Sequence, residues 1–275
     1  MPFTPSHAVV ALPFIRTPLV PAAVAIGAMT PDLPLFVRGT PLQYGRTHDL
    51  AWLPVTVIVA LGLLLVWRCV LRPAGRELAP AWLAVRLPAE WDRGGAVPLR
   101  ETLGVREVRA AQSPKRWRVS ASALALVVTS LAIGVVSHIV WDLFTHDARW
   151  GVELFPLLAE EWGPLTGYRW LQHGSSVVGL AIIGVWMFVW IVRRRPDSVL
   201  VRVMPDAIRW AWWLSLPVIL VVTWVVFLPL YGGFDEHFGP EHLAYRVLPP
   251  ACAVWGAITL VLCIVVQAMR SPSRR

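Results

Sequence analysis

The chain has 275 residues, of which 56% are hydrophobic and only 15% charged, and its formal net charge is +8. That balance lies outside the range of an ordinary soluble domain and places the chain in the membrane class. The positive charge does not point to nucleic acid, because the basic residues crowd into segments beside apolar runs, as membrane orientation requires.

The first apolar run, from His7 to Met29, contains Pro13, Pro18 and Pro21, with Arg16 at its centre. Prolines remove helix donors and clash with the preceding turn, so one straight span is not expected here. No basic residue precedes the run, so it lacks the design of a signal peptide, and insertion is expected to rely on internal spans. A straight helix would hold His7 and Asp32 about 37 Å apart. Broken at its prolines, the run is expected to form a re-entrant hairpin of two short helices that returns both residues to one face and packs inside the bundle.

Five later runs reach the length of about 18–22 residues that a bilayer demands: roughly 51–70, 120–141, 175–192, 211–230 and 249–269. The predicted fold is therefore an all-α polytopic membrane helix bundle, one membrane domain over residues 1–275, with five spanning helices plus the N-terminal hairpin. Residues 71–118 read as an Arg-rich cytoplasmic loop inserted between spans, of which 77–118 is expected to be solvated, with little packed structure. Cys69, Cys252 and Cys263 lack CxxC spacing and read as packing residues. Trp52, Trp67, Trp141, Trp190 and Trp210 sit at span ends, where an amphipathic ring suits the interface.

Basic residues gather in three groups: Arg68 to Arg118, including Arg109 and Lys115; Arg193 to Arg209; and Arg270, Arg274 and Arg275. If every run crosses once, all three fall on one side, which the positive-inside rule makes the cytoplasm. The expected location is the inner membrane, multi-pass, with the N-terminus outside and the C-terminus cytoplasmic.

The second span ends in Ser137-His138-Ile139-Val140-Trp141-Asp142-Leu143-Phe144-Thr145-His146. At roughly 100° per residue, positions 138, 142 and 146 share one helix face. Ionisable groups at membrane depth are costly unless they serve a site. The same outer face is assigned His48 and Asp49, His173, and the loop residues Asp235, Glu236, His237, Glu241 and His242. Because orientation came from Arg and Lys alone, this gathering of histidines is an independent result.

His7, Asp32, His48, His138, Asp142 and His146 are the candidate metal ligands, with His173 an outlier. Imidazole and carboxylate without thiolate suit a catalytic site for a divalent metal, zinc first and manganese or iron next, holding one or two ions. His138 and Asp142, one turn apart, reach one ion. His146, about 12 Å along a continued helix from His138, is assigned to a second metal, to substrate or to catalysis. Asp49 is a candidate catalytic base, and Asp147 an alternative. Plainer readings are an Asp32 that only shapes a turn, a His173 that merely precedes the helix caps Ser175 and Ser176, and interfacial His237 and His242.

Met1-Pro2-Phe3-Thr4-Pro5-Ser6-His7, Gly27-Ala28-Met29-Thr30-Pro31-Asp32, Arg46-Thr47-His48-Asp49, the 137–146 stretch and Trp170-Leu171-Gln172-His173-Gly174-Ser175-Ser176 together resemble a bacterial membrane-protein family of unknown function. In its histidine and aspartate pattern the chain is similar to the inner-membrane metal-dependent hydrolases of the YdjM-like group. The His-xxx-Asp element also resembles one in zinc-dependent phospholipases C and related nucleases. That resemblance implies a polynuclear zinc site acting on phosphate esters, carried by His7, Asp32, His48, His138 and Asp142. The chain departs from it in having an ordinary Met at position 1. The expected function is that of a membrane-embedded metal-dependent hydrolase acting at the outer face on a lipid-linked or phosphate-ester envelope substrate. The alternatives are a non-catalytic metal-binding or transport protein, favoured by a continuous polar path, and a structural partner in an envelope assembly.

Overall fold

A computed structural model describes residues 3–108, 116–196, 199–235 and 238–270. Glu236, His237, Arg109, Lys115, Arg274, Arg275 and the first two residues of the opening motif lie outside these. The described chain is nearly all helical, and five helices are long and apolar enough to cross a membrane. They cover Leu50–Leu78, Ala121–Thr145, Gly167–Arg193, Asp206–Leu230 and Pro240–Arg270. Each predicted run lies largely or wholly within one of them, and the helices overrun the runs at most ends because polar residues outside the apolar window continue the hydrogen-bonded turn. Pro217, Pro229, Pro249 and Pro250 lie inside the last two, as spanning helices tolerate.

The chain divides into two compact units, the first comprising Met1–Asp32, Gln43–Val66 and Ala96–Arg194. It opens with a 3-10 helix, Thr4–Arg16, and a turn that leads into α1, Pro21–Met29. The two pack against each other as the expected hairpin. Arg16, central in the apolar run, therefore sits at the turn and is exposed. Three residues per turn bring Thr4, His7 and Val10 onto one edge of the 3-10 helix. The unit continues through α2, Leu53–Val66, and two longer helices, α3, Ala121–Thr145, and α4, Gly167–Arg193.

The seam of this unit is α1 against α3. Ala23, Val24, Gly27 and Ala28 face Val127, Leu131, Gly134 and Val135, all buried. A Cβ on Gly27 would collide with the Leu131 carbonyl oxygen, and one on Gly134 with the Val24 carbonyl oxygen, while also lying 2.6 Å from the Ala28 nitrogen. Two helices with small residues in register can thus touch backbone to backbone, the packing used where lipid offers no hydrophobic drive. At the start of α1 the Val20 N–H has no helical partner and donates to Ser130 Oγ at 2.9 Å, while Ser130 donates to Leu126 O. Ser120 caps the start of α3, accepting from the Ala123 N–H.

The second unit comprises Leu33–Leu42, Trp67–Gly95 and Arg195–Arg275, and holds α5, Asp206–Leu230, packed against α6, Pro240–Arg270. Trp212 stacks on Trp255, and their ring N–H groups donate to Thr259 and Ser215. Glu77 is completely buried, and its carboxylate accepts from the Val203 and Met204 N–H groups, Arg209 and Arg270. Arg76 is buried beside it and pairs with Asp92, donating also to the Ala84 and Val199 carbonyls.

The structure corrects the expectation that residues 77–118 hold little packed structure. Their described part contains helices Ala81–Ala84 and Ala96–Thr102, shorter turns, and an antiparallel pair, β1, Val105–Val108, with β2, Arg116–Val119. A stretch rich in charge stays loose only when its charges prefer water. Arg76 and Glu77 instead find fixed partners, so burying them carries no unpaired charge. Three arginines read as orientation signals, Arg76, Arg209 and Arg270, are thus also structural ion-pair partners.

Gly134→Val is expected to lower the stability of the detergent-purified protein by about 3 kcal/mol or more, at the upper end of overpacking costs. Gly62→Ala, where a Cβ meets nothing within 4 Å, should be neutral or stabilising by up to about 1 kcal/mol. Thermal unfolding followed by circular dichroism would separate the two, and an unperturbed Gly134→Val would refute the backbone-to-backbone seam.

Candidate metal centre

Five of the six predicted ligands come together in the first unit, and the local structure supplies each for a visible reason. His7 lies one 3-10 turn after Thr4, whose hydroxyl donates to Asp32 Oδ2 at 2.7 Å and closes the open end of the hairpin. Asp32 ends the turn Thr30–Asp32 that follows α1. His48 terminates the short helix Tyr44–Thr47, which Thr47 Oγ1 ties to the Pro31 carbonyl at 2.7 Å. His138 and Asp142 are one turn apart on the buried face of α3. All five are at least nine-tenths buried.

The donor atoms converge. His48 Nε2 lies 3.1 Å from His138 Nε2, 3.7 Å from Asp32 Oδ1 and 3.4 Å from Asp142 Oδ2. His138 Nε2 lies 3.6 Å from Asp32 Oδ1 and 3.5 Å from Asp142 Oδ2. A tetrahedral ion with ligands at about 2.0–2.2 Å has edges of about 3.3–3.6 Å between donors, and these separations bracket that range. Asp32, His48 and His138 form one trio with donor atoms within 4.8 Å of one another, and His7, His138 and Asp142 form another.

The tautomers give the stronger argument. His138 Nδ1 is 2.7 Å from the Ala28 carbonyl oxygen and His48 Nδ1 is 2.9 Å from that of Tyr44. A carbonyl only accepts, so each Nδ1 carries its proton, and in the neutral ring each Nε2 presents a lone pair. Two such lone pairs 3.1 Å apart, beside two carboxylates, repel unless a proton or a metal ion lies between them. An outer hydrogen bond to a carbonyl is also the usual support of a ligating histidine. Among the described residues, His7 Nε2, Asp32 Oδ1, Asp142 Oδ1 and His146 Nε2 are buried without a hydrogen-bond partner. Orphaned atoms of this kind cost about 1–3 kcal/mol each and call for a ligand.

His7 approaches from the side, its Nε2 3.9 Å from Asp142 Oδ1 and its ring stacked on that of His138 at 4.0 Å. Burial, then the neighbouring His138, hold the His7 imidazole down to about 3, so it is neutral and able to coordinate. Burial also raises the Asp32 carboxyl above the usual range, against the opposing effects of His138 and the Thr4 hydrogen bond.

His146 occupies a different position from the one helical spacing gives. α3 ends at Thr145 and His146 has extended backbone, so its ring turns back, with Nδ1 3.6 Å from Asp142 Oδ2 and 3.2 Å from the Asp142 carbonyl oxygen. It is half-buried, and burial lowers its pKa. Asp49 is not brought into the cluster: it is exposed and caps the turn Leu50–Trp52 by accepting from the Ala51 N–H. Asp147 is likewise exposed and bound to backbone. His173 is exposed on α4, and His242 is exposed beside Glu241. Ser175 and Ser176 are not caps, since α4 begins at Gly167; both donate back to Gln172 O.

Thr4, Tyr44 and Thr47 were not singled out from sequence, although each belongs to the site's support. Tyr44 Oη lies 3.5 Å from Asp142 Oδ2, and its ring packs on His48. Their only signal was nearness in the chain to a candidate ligand.

Five membrane-length helices and a buried cluster of three histidines and two aspartates define a polytopic membrane protein with a candidate metal centre. The chain belongs to the family described as Domain of unknown function (DUF4184), whose profile matches residues 1–269. No curated protein matches it. No solved structure matches it either.

Zinc added to metal-stripped protein is expected to raise the melting temperature, since a ligand present at 100 times its Kd contributes about 2.7 kcal/mol. Asp32→Ala and His138→Ala should abolish that shift, while Asp49→Ala should retain it and lose only a cap. A shift that survives in His138→Ala would remove this cluster as the binding site.

Proposed function

We propose that the protein is a membrane-embedded metal-dependent hydrolase acting on a lipid-linked or phosphate-ester envelope substrate. The observation that carries the reading is the pair of Nε2 atoms 3.1 Å apart beside Asp32 and Asp142, on rings whose Nδ1 atoms each face a carbonyl. Asp32, His48, His138 and Asp142 would hold a zinc ion, with His7 as a further donor. Asp142 Oδ1, which faces His7, could engage a second ion. Such an ion supplies Lewis acidity toward a phosphoryl oxygen and lowers the pKa of water.

This chain's own residues do the rest. Ala28 and Tyr44 fix the ring tautomers through their carbonyls. Thr4 and Tyr44 orient the two carboxylates. His146, with a buried and unpartnered Nε2, is placed to take a proton or meet substrate, whereas the carboxylate of Asp49 is occupied by its cap. The histidine and aspartate pattern, which resembles in sequence that of the YdjM-like inner-membrane hydrolases, supports the same reading. So does the buried face of α3 below His138, where Val135, Gly134, Leu131 and Val127 offer no polar path to carry an ion onward and Ser130 is occupied at both ends. A transport role would need such a path.

The proposed orientation is in the inner membrane, with the N-terminus and the cluster toward the outside and the C-terminus in the cytoplasm. It rests on the arginine-rich segments, several of whose members also serve as ion-pair partners.

Elemental analysis of purified wild type should find one or two equivalents of zinc and less than a tenth of that in His138→Ala and Asp142→Ala. Hydrolysis of a chromogenic phosphodiester in lipid nanodiscs should disappear with the metal. Metal content unchanged in both variants, or a metal-replete protein inert on phosphate esters and lipid phosphates alike, would reject the hydrolase.

A periplasm-active reporter fused after Pro240 should be active, and one fused after Arg195 silent. The opposite pattern would invert the proposed topology.

A further inference from the structure

The first unit contains a cavity of about 420 Å³ between the N-terminal hairpin, α3 and α4. This lies within the range of about 300–1,000 Å³ typical of small-ligand sites. Its lining is graded. Ser6, His7, Ser137 and Ser175 supply hydroxyls and an imidazole, while Val9, Val10, Val178 and Ile182 supply hydrocarbon. No acidic side chain is among the lining residues described. His7 belongs to both places: its ring borders the cavity, and its buried, unpartnered Nε2 lies 3.9 Å from Asp142 Oδ1.

The walls are built for this rather than left open by poor packing. Gly179 sets α4 close to the hairpin, where a Cβ would meet the Ser6 carbonyl oxygen at 3.0 Å, and Trp141 donates to Ser175 across the α3–α4 edge at 3.2 Å. Phe3 N–H donates to Ser176 Oγ at 2.8 Å, tying the chain's start to α4. Along its length α4 leaves Val177, Val185 and Phe188 about two-thirds exposed, as suits a helix surrounded by acyl chains. A cavity beside such a helix, apolar along one part and polar where it meets the ligand cluster, matches an amphiphile.

We propose that this cavity takes the hydrocarbon chain of a single-chain lipid phosphate, whose phosphate would lie at His7 against the metal centre. The assignment rests on the hydrolase reading and narrows its substrate to a phosphorylated lipid that enters sideways between the hairpin and α4. Val178 and Ile182, one helical turn apart, would line the chain, and the Ser6 hydroxyl would meet the polar end.

The test uses the full-length protein in nanodiscs with hexadecyl phosphate bearing a diazirine on its chain, followed by peptide mapping. Label is expected on Thr4–Arg16 and on the stretch of α4 around Val178 and Ile182. Unlabelled hexadecyl phosphate should suppress it, and inorganic phosphate should not. Ile182→Trp and, from the opposite wall, Val9→Trp fill the cavity and should each reduce that labelling about tenfold with zinc content unchanged. Label spread evenly over exposed positions such as Val185 and Val218, or undiminished in both tryptophan variants, would overturn the proposal. Suppression by inorganic phosphate as strong as that by hexadecyl phosphate would also overturn it, because the chain would then contribute nothing. The two readings separate cleanly: cavity labelling in protein that binds no zinc retires the hydrolase and keeps the lipid site, whereas scattered labelling in zinc-replete, active protein does the reverse.

Discussion

The close approach of α1 to α3 governs the first unit, and it rests on two glycines. With Gly27 and Gly134 at the contact, the backbones meet directly, and the carbonyl of Ala28 comes within 2.7 Å of His138 Nδ1. A side chain at either position would push the helices apart. The Ala28 carbonyl would then lose the ring it orients, and Asp32, four residues later, would leave the vicinity of His138 Nε2. Small residues at such a seam give van der Waals contact that leucine in lipid cannot, so packing and site geometry have one cause.

From that seam the remaining candidate ligands follow by short tethers. Thr4 ties the first residues of the hairpin to Asp32, which sets His7 over the ring of His138. Thr47 ties the segment before the first long helix to Pro31, which sets His48 opposite His138. Each tether satisfies a hydroxyl in a place where an unpaired one would be costly, and each fixes an imidazole as a consequence. The polar atoms left over are concentrated at the cluster, among them Asp32 Oδ1, Asp142 Oδ1 and His7 Nε2. A fold that satisfies its outer hydrogen bonds and leaves inner polar atoms converging has the arrangement of a candidate cation site.

The second unit solves a different problem, the burial of full charges. Glu77 receives two backbone N–H groups and two guanidinium groups, so its carboxylate is fully hydrogen-bonded away from water. Such an arrangement resists removal of any one partner, because the others would be left buried and uncompensated. It also explains why an arginine-rich stretch that reads as solvated folds into helices and a two-stranded pair.

Helix content, the number of membrane-length runs, the proline-broken hairpin and the residue types of the cluster were all legible in the chain, because they depend on local terms: apolar length, proline chemistry and the 3.6-residue period. Periodicity placed His138 and Asp142 on one face correctly, since a continuous helix carries spacing into space without further information. It failed at His146, where the helix ends one residue earlier and the backbone turns extended. It had no purchase on Asp49, whose carboxylate is used by a local cap, or on Thr4, Tyr44 and Thr47, which matter only through partners 16 to 98 residues away. Which lone pairs converge, which imidazole nitrogen keeps its proton and which arginines leave water are set by carbonyls and carboxylates brought in from distant segments. Those are consequences of packing, and a pattern along one strand of sequence does not contain them.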